Sequence, residues 1–187
     1  MFKRYLILTT WACLIGVSFY LFFFQADFVE EKLAVLFGLS LWVSGTVYLL
    51  LGCLRGFTLI PSTYLIIFGI VFLPLWPLYI LTIIGILVSS LTVYFLSEQL
   101  GFDAFFEKKY SSGLKKMRAR LQKNELPIVI FWSFAPLLPT DAVCYLCGAL
   151  KVNVYKFLFG VLIGEGIVCF IYIFLGENLL TLLQGYF

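Results

Sequence analysis

Long apolar runs separated by short polar links divide this chain, and several of these runs have the length of a membrane-spanning helix. The first, Tyr5–Phe24, has 20 residues. At about 1.5 Å per residue, such a helix crosses a hydrocarbon core of roughly 30 Å. Runs of similar length cover residues 33–54, 75–97 and 157–176. Basic residues precede the first run, but no small-x-small cleavage site follows it, so we expect an uncleaved span. The pattern predicts four spanning helices.

Two further apolar segments, residues 55–74 and 127–150, are interrupted by prolines. Pro61 lies in the first segment, and Pro136 and Pro139 lie in the second. A proline removes a backbone donor and disfavours helical angles at the preceding residue. Irregular backbone at membrane depth is tolerated only where it packs against protein or lines a wet cavity. The segment 127–150 is therefore our first candidate for the working part of the molecule.

The polar stretch 98–126 contains a large share of the positive charge. Its apolar residues recur every three or four positions, which predicts a basic amphipathic helix at the membrane interface. Such a helix attracts anionic lipid headgroups, and its charge also predicts a cytoplasmic location for the loop. Seven of the 13 basic residues lie here: Lys108, Lys109, Lys115, Lys116, Arg118, Arg120 and Lys123.

The two interrupted segments resemble each other. Prolines and glycines recur at offsets of 78 or 79 positions, both within these segments and in the spans that follow them. Interrupted segments at corresponding positions of two halves indicate a transporter with repeats and a site near the membrane midplane. The matched pairs are Pro61 with Pro139, Gly69 with Gly148, and Gly85 with Gly164.

Composition supports a membrane protein and narrows its chemistry. The 187 residues are 63% hydrophobic and 12% charged, which is typical of an integral all-α membrane protein. The chain has no histidine, which excludes Ser-His and Cys-His catalysis and any His-containing metal site. Cys144 and Cys147 have the spacing of a redox or zinc pair, but no second pair accompanies them, so we interpret them as small apolar residues packed between helices. We predict no enzyme activity and no cofactor.

Three ionisable residues lie in or beside the apolar segments that matter: Arg55, Asp141 and Glu165. A charge at this depth costs roughly 2.5–3.5 kcal/mol on insertion scales, so each should face a partner or water. We hypothesise that Arg55 or a nearby lysine binds a lipid phosphate and that both carboxylates line a polar groove. Structural alternatives stay open. Asp141 could cap a helix, Glu165 could hydrogen-bond across a helix interface, and Arg55 could snorkel to the interface.

The sequence from Pro136 to Gly148, PLLPTDAVCYLCG, resembles the second-half signature of the DedA/VTT-domain (SNARE-associated Golgi protein) family. In that signature, a P-x-x-P pair is followed by an acidic residue, an aromatic residue and a glycine. Ile60–Gly69 and the Leu100–Gly101 pair are also similar to that family. The resemblance covers roughly residues 55–176 and is strongest to a bacterial branch related to yeast Tvp-type and vertebrate VTT proteins.

This resemblance implies two re-entrant hairpins that enter from opposite faces, residues 55–74 and 127–150, each followed by a spanning helix. It also implies lipid movement, either phospholipid scrambling or the flipping of a polyprenyl phosphate. The chain departs from the family at two places. Ser133 occupies a position that is usually arginine, and the first hairpin lacks the acidic pair of DedA proteins.

We therefore predict two N-terminal spans (1–54) followed by a VTT-like core (55–176) in a bacterial plasma membrane. The predicted function is a lipid transporter, flippase-like or scramblase-like, whose partners are membrane lipids, anionic phospholipids among them, with a possible homo-oligomer and no nucleic acid. The alternatives are a proton- or ion-coupled small-solute transporter and a non-transporting assembly factor. The predicted lipid path comprises Arg55, Pro61, Gly69, Ser133, Pro136, Pro139, Asp141, Gly148 and Glu165.

Overall fold

The computed structural model describes residues 40–58, 62–100, 124–134 and 140–184, together with scattered positions between residues 9 and 38. The predicted first span lies largely outside these residues. So do nearly all of the predicted interfacial helix, including its basic residues 108–120, and the three prolines of the predicted lipid path, Pro61, Pro136 and Pro139.

The described residues are helical and contain no strand, as predicted for an all-α protein. The helices with defined bounds are α1 (Leu41–Thr58), α2 (Ser62–Phe72), α3 (Leu75–Leu100), α4 (Glu125–Phe134), α5 (Thr140–Ala149) and α6 (Val154–Gln184).

Only α3 and α6 contain segments long and apolar enough to cross a membrane among the described helices. These segments are Leu75–Ser97 and Val154–Gly176, at two of the four predicted spans. Helices α2, α4 and α5 have 11, 10 and 10 residues. At about 1.5 Å per residue each reaches only about half of a hydrocarbon core. Short helices therefore flank both predicted interruptions.

Helix α1 is displaced from the predicted span 33–54. It begins at Leu41, after a turn at Gly38, and the Val43 N–H donates to Ser40 Oγ at 3.3 Å. This is a helix-start hydrogen bond that serine makes well. At its other end α1 runs past Leu54 to Thr58, so Arg55 lies inside its last turn.

Within the first half, α1 and α3 run parallel and α2 returns between their ends. Tyr48 of α1 hydrogen-bonds to Thr82 of α3, and a β-carbon on Gly85 of α3 would lie 3.2 Å from the Gly52 backbone of α1. The contacting residue numbers therefore increase together along the two helices. Gly69 of α2 packs against Tyr48, so α2 runs back towards the start of α1. We call the end of this α1–α2 hairpin, where α1 ends at Thr58 and α2 begins at Ser62, the first tip.

The second half repeats this arrangement. Gly160 of α6 packs against Val129 of α4, and Gly164 packs against Ser133, so α4 and α6 run parallel. Helix α5 begins with Thr140 beside Glu165 and runs back towards the start of α4, where the Asn153 N–H donates to Glu125. We call the end of this α4–α5 hairpin, where α4 ends at Phe134 and α5 begins at Thr140, the second tip.

The two halves run in opposite directions. Trp76 near the start of α3 makes an edge-to-face contact with Phe174 far along α6, with ring centroids 5.1 Å apart, while the rings of Tyr94 and Phe157 lie 5.2 Å apart. Because the order of the contacts reverses, α3 and α6 are antiparallel. Each short return helix also packs on the other half's long helix, α5 on α3 and α2 on α6. The contacts therefore make the two halves inverted repeats.

Both hairpin tips reach the same level of the molecule. Gly85 on α3 and Glu165 on α6 lie halfway along their helices between these two aromatic contacts. Ser62, which follows the first tip, lines one pocket with Ile86. Thr140, which follows the second tip, contacts Glu165. The tips thus meet near the middle of the two long helices.

Candidate functional site

A buried ion pair joins the two halves where their tips meet. The Arg55 Nη2 of α1 lies 3.4 Å from Asp141 Oδ1 in the first turn of α5, and the side chains are only 2% and 5% exposed. The partners are separated by 86 positions in the sequence. Arg55 comes just before the first tip and Asp141 just after the second, so the ion pair exists only because the halves are inverted.

Two of the alternative roles do not fit these positions. Arg55 is buried against another protein segment, so it is not an interfacial anchor that snorkels into water. Asp141 is the second residue of α5 and so lies inside the helix rather than at the capping position before it, and its carboxylate faces Arg55. Both charges can be buried here because each compensates the other.

Glu165 adds a second carboxylate to the same region. It lies in α6, is 3% exposed, and accepts hydrogen bonds from Thr140 Oγ1 and from the Cys169 thiol, the latter at 3.8 Å. Arg55 attracts a negative charge on Glu165, and Asp141 repels it. We call Arg55, Asp141 and Glu165 the central charge cluster. It places one cation and two carboxylates at mid-depth of the described structure.

A small pocket opens beside Arg55 on the side of the first half. Tyr48, Ser62 and Thr82 line it, together with Gly52, Leu65 and Ile86. Thr82 donates to the Leu78 carbonyl at 2.7 Å, so the 2.7 Å contact with Tyr48 has the tyrosine as donor. The protons of both hydroxyl groups are therefore already donated within the protein.

Two glycines of the predicted lipid path allow the return helices to pack closely against their neighbours. A β-carbon on Gly148 of α5 would overlap the carbonyl oxygen of Tyr94 on α3. A β-carbon on Gly69 of α2 would meet Tyr48 at 2.8 Å and crowd Leu78. Both positions are set by close helix contact, and neither glycine is part of the charge cluster.

Ser133 is buried in α4, where its β-carbon lies 2.6 Å from where a β-carbon on Gly164 would stand. Its Oγ has no hydrogen-bond partner within the described structure. Ser133 and Arg55 each lie six residues before the matched prolines of the two halves. They are therefore equivalent positions, and the arginine occupies the first half only.

The sequence did not indicate Thr140 and Cys169, which donate hydrogen bonds to Glu165, or Tyr48 and Thr82, which line the pocket beside Arg55. Thr140 could have been suspected because it adjoins Asp141, whereas the others occur in apolar runs without any local signal. The same structure offers no metal centre, since no group of three His, Cys, Asp or Glu side chains in the described residues could hold an ion.

The family model of the VTT domain matches residues 60–178, nearly two thirds of the chain. The chain belongs to the VTT-domain family. The VTT-domain family is the DedA family, so the resemblance found in the Pro136–Gly148 signature is confirmed, while the branch within the family stays a prediction. No curated protein and no solved structure matched the chain significantly.

The VTT match covers α2 to α5 and α6 as far as residue 178, and so includes Asp141 and Glu165 of the central charge cluster. Members of this family are generally membrane proteins proposed as transporters or flippases, and they are generally not enzymes. Arg55 lies just outside the matched region, at the end of α1.

Proposed function

We propose that this VTT-domain protein moves phospholipids, or lipids with a polyprenyl phosphate headgroup, between the leaflets of a bacterial plasma membrane. The headgroup passes through a groove between the two hairpins, while the acyl chains stay in the surrounding lipid. The hairpins are re-entrant in this proposal, and the loop 98–126 lies in the cytoplasm, where its basic residues meet anionic headgroups.

One observation supports the proposal most strongly: the central charge cluster lies where the two tips meet. Buried ionisable groups in a membrane mark substrate or ion paths, because their cost is otherwise uncompensated. Helices α1 and α4 end, and α2 and α5 begin, at this depth, and helix ends at the interface of inverted repeats form substrate sites in transporters. A lipid only has to cross, so the path requires no nucleophile and no metal.

A liposome assay tests this function. Purified protein is reconstituted into vesicles whose lipids contain a phospholipid with an NBD dye on an acyl chain, and dithionite bleaches the outer leaflet. We expect the protein to raise the bleached fraction beyond one leaflet. Identical kinetics in protein-containing and protein-free vesicles would reject lipid movement.

The second candidate is a proton-coupled small-solute transporter. The central charge cluster favours this candidate because it contains two carboxylates, Asp141 and Glu165, but a single cation, Arg55. The carboxylate in excess can carry a proton. Vesicles with an imposed pH gradient distinguish the candidates. Solute uptake driven by the gradient, without lipid exchange, would favour this second function.

A further inference from the structure

We infer that the turn between α5 and α6 binds the anionic headgroup of a phospholipid at the cytoplasmic surface of the membrane. Two exposed lysines of this turn, Lys151 and Lys156, bind the phosphate, and Tyr155 between them contacts the adjoining lipid. The site is separate from the central charge cluster, and the inference does not depend on lipid movement. It rests on the membrane location of the protein and on the cytoplasmic location proposed for the loop 98–126.

The α5–α6 turn lies at the same end of the molecule as the loop 98–126, which follows directly after α3. The Tyr94 hydroxyl near the end of α3 donates to the Val152 carbonyl in the turn at 2.6 Å. The apolar segment of α3 ends at Ser97, and that of α6 begins at Val154. Because both apolar segments have an end here, the turn lies at the level of the lipid headgroups.

The turn is held in one conformation by its own contacts. Val152 is 3% exposed, and its N–H donates to the Cys147 carbonyl at 3.1 Å. The Asn153 side chain accepts hydrogen bonds from the N–H groups of Tyr155 and Lys156, at 3.1 and 3.2 Å, and so caps α6. Since the backbone is fixed on both sides of Val152, the two lysines are attached at fixed positions of the surface.

Lys151 has a backbone conformation that favours glycine. Its φ is 55°, the only positive value at a non-glycine residue in the described part of the chain. Its N–H donates to the Gly148 carbonyl at 3.1 Å, which closes the end of α5. Helices commonly end with a glycine in this conformation, because a β-carbon makes it unfavourable. A residue held in an unfavourable conformation indicates that its side chain has a function, and here that side chain is a cation.

The charges around the turn favour an anionic partner. Lys156 pairs with Glu125 at 2.8 Å, but the lysine side chain is 55% exposed. An exposed ion pair is weak, and a cation gains about as much at an anionic membrane surface, so a lipid phosphate can compete with Glu125 for Lys156. Tyr155 is 76% exposed, and tyrosine is enriched at the membrane interface. Anionic lipids are concentrated in the cytoplasmic leaflet, the side proposed for the loop 98–126.

Photo-cross-linking tests this site in the reconstituted protein. A phosphatidylglycerol with a diazirine at the start of one acyl chain is titrated into phosphatidylcholine vesicles, and peptide mass spectrometry measures the labelling of residues 151–159. We expect labelling to be suppressed when unlabelled phosphatidylglycerol replaces part of the phosphatidylcholine. Excess inorganic phosphate should leave the labelling unchanged, because the site binds a lipid.

Lys151→Gly is the decisive variant, because glycine adopts the backbone conformation of this turn without strain. We expect the concentration of the diazirine lipid at half-maximal labelling to rise about fivefold, the effect of one cation at an anionic surface. The thermal midpoint of unfolding in detergent without anionic lipid should stay the same or rise. Lys32→Gln is the matched control, since it removes an exposed lysine outside the turn and should leave the labelling of residues 151–159 unchanged.

Unchanged labelling in Lys151→Gly, or labelling that unlabelled phosphatidylglycerol does not suppress, would overturn the inference. Suppression by inorganic phosphate would also overturn it, since the turn would then bind a free anion. Weaker labelling of Lys151→Gly together with a lower thermal midpoint would show that the lysine stabilises the end of α5 instead, and would overturn the assignment of its charge to the lipid. Each of these outcomes is independent of whether the protein moves lipids between leaflets.

Discussion

Replacing the partners of the Arg55–Asp141 pair one at a time and then together tests whether this contact couples the two halves. At 3.4 Å and an effective dielectric constant of about 20, the attraction amounts to about 5 kcal/mol. Removing Arg55 leaves Asp141 buried beside Glu165 without its cation, which costs about 3–5 kcal/mol. We therefore expect Arg55→Met to lower the thermal midpoint by about 6–20 °C, at about 2–4 °C per kcal/mol for a chain of this size. Asp141→Leu should lower it by less, because Glu165 still attracts Arg55.

The double variant Arg55→Met/Asp141→Leu should lose much less stability than the sum of the losses in the two single variants. Replacing a whole buried ion pair by apolar residues is often neutral or stabilising, so we expect a coupling free energy of about 3 kcal/mol or more. Glu165 keeps its hydrogen bonds from Thr140 and Cys169 in all three variants. The measurement is thermal unfolding in detergent, completed as a double-mutant cycle.

A second ion pair provides the control. Lys156 Nζ lies 2.8 Å from Glu125 Oε2, closer than the central pair, but the lysine side chain is 55% exposed. Solvent-exposed pairs contribute at most about 1 kcal/mol, so Lys156→Met should change the midpoint by no more than about 4 °C. Additive effects at Arg55 and Asp141, with coupling below about 0.5 kcal/mol, would refute the idea that burial makes the central pair strong.

Two other substitutions test the packing and the pocket. Gly148→Ala places a methyl group on the Tyr94 carbonyl, so we expect a loss of about 1–3 kcal/mol from forced separation of α5 and α3. Gly166→Ala is its control, because its nearest neighbour would lie 3.5 Å away, and stability should be unchanged or higher. Tyr48→Phe removes the buried 2.7 Å hydrogen bond to Thr82 and should cost about 0.5–1.5 kcal/mol.

Thermal unfolding in detergent measures all of these effects. If Gly148→Ala were as stable as Gly166→Ala, the close approach of α5 to α3 would be wrong. A Tyr48→Phe protein with unchanged stability would show that the hydrogen bond from Tyr48 to Thr82 does not contribute to the contact between α1 and α3.

The sequence predicted the helical class, the two interruptions and the correspondence of the halves. Proline and glycine spacing carries this information, because both residue types respond to local backbone geometry and to close helix contact. Glycines that are 79 positions apart make equivalent contacts in the two halves: Gly85 packs on α1 and Gly164 packs on α4. The DedA/VTT resemblance agrees with the family match over residues 60–178.

The end of α1 could not be predicted because glycines occur both at helix ends and at close helix contacts. Gly52 and Gly56 suggest a helix end after Leu54, yet the helix continues to Thr58. The two glycines instead allow α3 to approach: Gly52 lies against Gly85, and a β-carbon on Gly56 would lie 3.3 Å from the Ser89 carbonyl oxygen. In membrane helices, small residues often mark such contacts.

The partner of each central charge was equally invisible in the sequence. Arg55 and Asp141 are 86 positions apart, and only the inversion of the halves brings them together. The sequence singled out Arg55, Asp141 and Glu165 individually, because ionisable residues in apolar runs are conspicuous. It did not indicate that Arg55 would face a carboxylate.

The central claim is that lipid headgroups cross the membrane through the charge cluster where the inverted halves meet. The most direct test is leaflet exchange of acyl-NBD phosphatidylethanolamine by the double variant Arg55→Met/Asp141→Leu, compared with the unmodified protein at equal reconstitution. We predict a folded variant whose protein-dependent exchange is abolished, because its apolar residues provide no charged partner for a lipid headgroup. Exchange at the unmodified rate would contradict the claim and place the lipid path elsewhere in the protein.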